Sequence, residues 1–185
     1  MFMRVISTGS TKGNCYALQS STGEIVLLDC GCNYKKILRG IDYQISNVSG
    51  VLLSHEHGDH TKAFKEIMDA GIQIYTNDET VENMNIRTGE LMKGVPERYP
   101  FKAGSFIVTP FELPHTTYDK ETNQLVSCSN YGYLVGHKEM GRLLYMTDFE
   151  YNKYNFQKMN IHHLVIECNY CEELVDKAEA NYRHR

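Results

Sequence analysis

The chain has 185 residues, of which 42% are hydrophobic and 23% charged, with a formal net charge of −4. That length suits one well-buried domain and is short for two, and the composition excludes disorder along the whole chain. The acidic balance gives no support for broad attraction to nucleic acid or anionic membrane, although bound cations can offset it locally.

No apolar run approaches the roughly 20 residues that a membrane helix needs. The first seven residues lack the long apolar stretch of a secretory leader, so the expectation is a cytoplasmic protein. No internal repeat or Pro/Ser-rich linker is present, and one domain over residues 1–185 is expected.

Strands and turns are predicted for the first third. Residues 4–7 form a short apolar strand, followed by a turn-rich stretch at 8–14 with Gly9 and Gly13. Residues 15–19 and 24–29 make two more strands around the hairpin signal Ser20-Ser21-Thr22-Gly23. The spacing of Ile37, Leu38 and Ile41 predicts a helix over 34–41. A buried strand follows at 51–54. A helix over 60–70 would turn Ala63, Phe64, Ile67 and Met68 inward and end at Gly71. Next come a strand at 72–76 and a helix to about Asn85 capped by Asn77 or Asp78.

Residues 86–102, with Gly89, Gly94, Pro96 and Pro100, read as a surface excursion with some helix. Strands are then predicted at 105–113, 132–136, 142–147 and 163–167, with a final helix at 171–183. His137 is expected to be an exposed turn residue. Strands dominate each half and helices interrupt them, which fits two packed sheets with helices outside, a layered α/β arrangement.

The six cysteines, Cys15, Cys30, Cys32, Cys128, Cys168 and Cys171, are expected to be free thiols. Cys168 and Cys171 have C-x-x-C spacing, but there is no second such pair to complete a four-cysteine zinc site.

The chemistry concentrates in Ser54-His55-Glu56-His57-Gly58-Asp59-His60. A buried strand stops there, four potential ligands arrive within six residues, and a helix follows. His55 and His57 are two apart, so an extended backbone aims both to one side. Gly58 permits a tight turn, and Asp59 and His60 can point back toward the same cavity. Glu56 falls on the opposite face and is given no role. Eight histidines in the whole chain make three in one six-residue window a poor fit to chance. Imidazole with carboxylate suits Zn²⁺, Mn²⁺ or Fe²⁺ better than Ca²⁺.

This His-x-His-x-Asp-His segment after a short apolar strand resembles the metal-binding signature of the metallo-β-lactamase superfamily. Asp29 after Ile25-Val26-Leu27-Leu28, His115 after Glu112-Leu113-Pro114, and Asp148 after Tyr145-Met146-Thr147 resemble its other motifs, in the same order. The opening Gly9-Ser10-Thr11-Lys12-Gly13-Asn14-Cys15-Tyr16 looks most like the YycJ-type nuclease branch, which includes phage relatives. The resemblance implies an αββα sandwich: two mixed β-sheets with helices on the outer faces.

It also implies two divalent metal ions, zinc first, with manganese or iron as alternatives. His55, His57 and His115 would hold one, Asp59 and His60 the other, and Asp148 would bridge them. Asp29 would orient a ligand from behind. Two cations roughly 3.5–4 Å apart would activate a shared water as the nucleophile, and Asp59 would accept a proton from it or orient it. The implied substrate is a phosphodiester, nucleic acid included. A glyoxalase II-like thioester or other ester is the alternative, and a metal-stabilised binding module without turnover is the alternative from another class. Tyr118 is expected to border the cavity.

One departure stands out. The family usually supplies a further histidine from a strand-end loop near the C-terminus. His162 and His163 precede the strand at 164–166, and His184 lies at the terminus. The expectation is a chain that stops before that ligand, or a more open second site.

Overall fold

The computed structural model describes residues 1–87, 89–119 and 122–167. The Cys168–Cys171 pair, the final helix expected at 171–183 and His184 lie outside the described residues.

The first sheet runs in the order β1 (Phe2–Ser7), β2 (Cys15–Gln19), β3 (Ile25–Leu28), β4 (Val48–Leu52), β5 (Ile74–Thr76), β6 (Met92–Gly94). The first three strands pair antiparallel and the last four parallel, so the sheet is mixed. Parallel neighbours need crossovers. These carry α1 (Tyr34–Gly40), then α2 (Gly58–Thr61) with α3 (Phe64–Asp69), then α4 (Asp78–Asn83). The second sheet has the order β13 (His163–Ile166), β12 (Gly141–Met146), β11 (Asn130–His137), β8 (Phe106–Leu113), β7 (Phe101–Ala103). It is antiparallel except for β12 with β13. A separate hairpin, β9 (Thr116–Asp119) with β10 (Gln124–Ser127), rises between β8 and β11.

Period-two alternation assigns the faces. Leu18, Val26, Leu28 and Leu52 of the first sheet meet Phe106, Val108, Tyr133, Val135, Leu143 and Tyr145 of the second, and this layer is the centre of the sandwich. The opposite face of the first sheet, with Ala17, Leu27 and Val51, packs on Ile37, Ala63 and Ile67 of the helical layer. On the outer face of the second sheet, Phe111, Leu113, Leu144 and Met146 are covered by Phe149, Tyr154, Phe156 and Ile161. Among the described residues the helices lie on the first sheet. No described helix is long and apolar enough to cross a membrane.

Several expectations are corrected. The helix expected at 60–70 is broken, because the Ala63 N–H bonds Cys30 O at 3.0 Å instead of continuing the helical ladder. The described residues of the 86–102 excursion hold β6 and the first two residues of β7, and no helix. The β9–β10 hairpin was not expected. His137 is buried, not an exposed turn residue: its Nε2 meets Ser105 Oγ at 3.1 Å, its Nδ1 accepts the Glu139 N–H, and its ring packs on Phe106. Ser105 in turn bonds the Glu24 carboxylate, which also accepts from Ser49 at 2.6 Å, so the cluster ties the sheets together. Cys15, Cys30, Cys32 and Cys128 are buried free thiols, as expected.

Candidate metal centre

Strand ends of both sheets converge at one end of the sandwich. Asp29 follows β3, and the 54–60 segment follows β4. From the second sheet, His115 follows β8 and Asp148 follows β12. The six residues expected to act as ligands are all brought together. One ligand atom from each of His55, His57, His115 and Asp148 lies within 4.8 Å of the others, and the same holds for Asp59, His60 and Asp148. Asp148 belongs to both groups.

The distances are close. His57 Nδ1 lies 2.9 Å from His55 Nε2 and 3.4 Å from His115 Nε2. Asp148 Oδ2 lies 3.3 Å from His55 Nε2 and 2.9 Å from His60 Nε2, and Asp59 Oδ2 is 3.5 Å from the latter. Bonds of about 2.0–2.1 Å to one transition-metal ion leave its ligand atoms about 3 Å apart. Spacing and donor chemistry therefore both fit divalent cations, with three imidazoles and a carboxylate in one group and one imidazole with two carboxylates in the other.

The imidazoles are oriented from behind. His60 is fully buried and its Nδ1 lies 2.7 Å from Asp29 Oδ2, so donation to that carboxylate leaves Nε2 facing Asp59 and Asp148. Asp29 is also fully buried and accepts from Ser54 N at 2.7 Å and Tyr145 Oη at 2.5 Å. Ser54 Oγ lies 3.0 Å from His55 Nδ1, which leaves His55 Nε2 toward the cluster. Asn14 Nδ2 sits 3.2 Å from His60 Nε2. The turn around Asp148 is clamped: its N–H donates to Glu167 at 2.6 Å, and Asn130 Nδ2 donates to the carbonyls of Thr147 and Asp148 at 2.8 and 3.0 Å. Asp29 and Asp148 both adopt positive φ, 55° and 48°, which sharply turns the chain at each strand end.

Electrostatics follows from this packing. Burial, with His60 and His57 close by, pushes His55 well below the ordinary histidine value. Burial and His57 also lower His115. Both are neutral at pH 7, the form that ligates a cation. For His60, burial opposes charge, yet Asp29 and Asp148 outweigh it and raise the group to about 12. Asp148 is lowered despite its burial, through His60 and Glu167, and the bond from His60 lowers Asp59. In the cation-free protein, His60 thus supplies the positive charge that the carboxylates face.

Two expectations need adjustment. Tyr118 is half-exposed on the β9–β10 hairpin, and its hydroxyl bonds Asn123 rather than any candidate ligand. Glu56 does point away from the cluster, as alternation predicts, but it accepts bonds from Thr80 and Asn83 of the α4 region. Asn14, Ser54, Asn130, Tyr145 and Glu167 were not singled out from the sequence as members of the site. Of these, Asn14, Ser54 and Tyr145 stand in the motif segments quoted above, and Asn130 and Glu167 carry no local signal of a role.

A family model described as a beta-lactamase superfamily domain matches residues 25–173. Among curated proteins, the anti-Pycsar protein Apyc1 of Bacillus phage 010DV004 is 28% identical over 72 residues, which is 36% of this chain and 28% of that protein. The match therefore spans little more than a quarter of the curated relative. Among solved structures, the metallo-beta-lactamase fold protein YhfI from Bacillus subtilis is 21% identical with a TM-score of 0.66, covering 91% of this chain and 71% of that one. Unliganded yeast PDE1 is 11% identical with a TM-score of 0.65, covering 90% and 74%. The short form of human tRNase Z is 17% identical with a TM-score of 0.52, covering 77% and 66%. At these identities the structural likeness establishes the fold.

Proposed function

The chain belongs to the beta-lactamase superfamily, and we propose that it is a metal-dependent hydrolase acting on phosphodiester bonds, nucleic acid among its candidate substrates. The observation that carries this reading is the convergence of His55, His57, His115, Asp59, His60 and Asp148 into two donor groups that share one carboxylate.

His55, His57 and His115 would hold the first cation and Asp59 and His60 the second, with Asp148 placed to serve either group. Zinc is the first choice for this donor set, and manganese or iron would also be accepted. Divalent cations bound there would lower the pKa of a water molecule and polarise the scissile phosphoryl or carbonyl oxygen.

The chain's own groups do the rest. Asp29 keeps a proton on His60 Nδ1 and so keeps Nε2 available. Asp59 is half-buried and ionised, and its Oδ2 accepts a proton from the attacking water or orients it. Asn130 and Glu167 hold the Asp148 turn in place, so the shared carboxylate needs no reorganisation when substrate arrives. Six ligands for two cations leave open positions, which favours turnover over a purely structural role.

The phosphodiester assignment draws on the nuclease-like turn at 9–16, whose Asn14 contacts His60, and on the structural likeness to tRNase Z and PDE1. Metal analysis by mass spectrometry, paired with turnover of bis(p-nitrophenyl) phosphate, tests it. Hydrolysis that chelation abolishes and zinc or manganese restores is the expected result. A fully metallated protein that turns over no phosphodiester, thioester or lactam would end the enzyme reading. Thioester turnover alone would replace the phosphodiester assignment.

A further inference from the structure

Glu56 stands between two of the proposed ligands and takes no part in either donor group, yet it is one of the most connected side chains at this end of the fold. Its Oε2 accepts from Thr80 Oγ1 at 2.9 Å and its Oε1 from Asn83 Nδ2 at 2.8 Å. The thiol of Cys128 lies 3.6 Å from Oε1, with Ser129 O as a longer alternative at 3.8 Å. The thiol is the donor and the carboxylate oxygen the acceptor.

The Cys128 contact matters because of where the backbone of that residue is attached. Cys128 N–H donates to His115 O at 2.9 Å. One carboxylate therefore connects the loop holding His55 and His57, which belongs to the first sheet, with the strand end holding His115, which belongs to the second. Thr80 strengthens the first attachment. It is fully buried, and its N–H is capped by Asn77, whose Nδ2 contacts Ser54 O.

We propose that Glu56 and Cys128 form a positioning strut that sets the separation of His115 from His55 and His57. The inference rests on the metal reading of these histidines and adds two residues that never touch the ion. A donor set of this kind tolerates errors of about 0.5 Å before binding suffers. The spacing from His57 to His115, 3.4 Å, bridges the two sheets. The strut is a side-chain link across that same gap.

The test uses cobalt(II) as a spectroscopic probe, with affinity measured by chelator competition. Cys128→Val removes the donor and adds about one methyl group, which the accompanying melt monitors. It should weaken binding at the three-histidine site by about 10–100-fold and alter the cobalt ligand-field bands. Cys128→Ser restores a donor and should recover most of the affinity. Glu56→Ala should weaken binding at least as much, and Cys128→Val added to it should cost little more, because both changes break one link. A thermal melt accompanies each variant. Altered bands in a Cys128→Val protein that melts near the wild-type temperature separate positioning from general support. Wild-type uptake of cobalt with unchanged affinity and bands in Cys128→Val overturns the strut alone. No cobalt uptake by the wild type overturns the metal reading and the strut with it.

Discussion

Asp29 offers the sharpest test of the site's architecture. Its carboxylate is fully buried at a positive-φ turn and serves the Ser54 N–H, the Tyr145 hydroxyl and His60 Nδ1. Asp29→Ala takes the shared acceptor from three buried donors, of which only His60 Nδ1 keeps an alternative, Ser54 Oγ at 3.2 Å. At about 1–2 kcal/mol each, that is a loss of about 3–6 kcal/mol, a large part of a typical domain's stability. Asp29→Asn is the more informative change. Asparagine tolerates the left-handed backbone and keeps the shape, but it puts an amide N–H₂ where a second acceptor is needed. We expect urea unfolding to show a loss of about 2–3 kcal/mol. Metal affinity at the His60 position should fall by about 10–100-fold, since nothing then fixes which imidazole nitrogen carries the proton. Urea titration and chelator competition on the same sample measure both. An Asp29→Asn protein with the wild-type midpoint and full affinity for two ions would refute the assignment of Asp29 as the group that orients His60.

Gly31→Ala should be severe, because a Cβ at that position would sit 1.6 Å from Asp59 O, a backbone atom of the ligand segment. A loss of about 3 kcal/mol is expected, with reduced metal content, and a wild-type melting temperature would contradict it. Glu24 gives a pH prediction. Burial would raise its carboxyl, but bonds from Ser105 and Ser49 prevail and hold it below the usual value of 4.5. A depressed folded-state value adds stability that is present above 4.5 and is lost as pH falls through the folded value. Glu24→Gln should therefore show a shallower acid limb in urea midpoint against pH. Parallel acid limbs for the two proteins would count against it.

Much of this candidate site is legible in the sequence, because its candidate ligands come from strand ends and strand ends carry local signals. The period-two argument aimed His55 and His57 together and turned Glu56 away, and the structure agrees on each point. What escaped notice depends on partners far along the chain. Tyr145 meets Asp29 across 116 residues and Cys128 meets Glu56 across 72, and no local pattern announces such contacts. The β9–β10 hairpin is silent in the sequence for another reason. Gln124 to Ser127 are all exposed, so the strand has no alternation to detect. His137 looked like a turn residue because Lys138 and Glu139 follow it, and its burial depends on Ser105, 32 residues away.

The split origin of the ligands has a mechanical consequence. Five of the charged or imidazole groups, Asp29, His55, His57, Asp59 and His60, hang from the first sheet, while His115 and Asp148 hang from the second. Without a cation, the described ties between the layers at this end include Tyr145 to Asp29, Tyr131 N–H to Ser54 O, Tyr133 to Leu53 O, His60 to Asp148 and Cys128 to Glu56. An ion bound by the candidate ligands would act there as a rivet through two plates. At about 1,000 times its dissociation constant it adds about 4 kcal/mol to folding. Metal supply would then govern how long the sandwich stays closed as well as whether it can react.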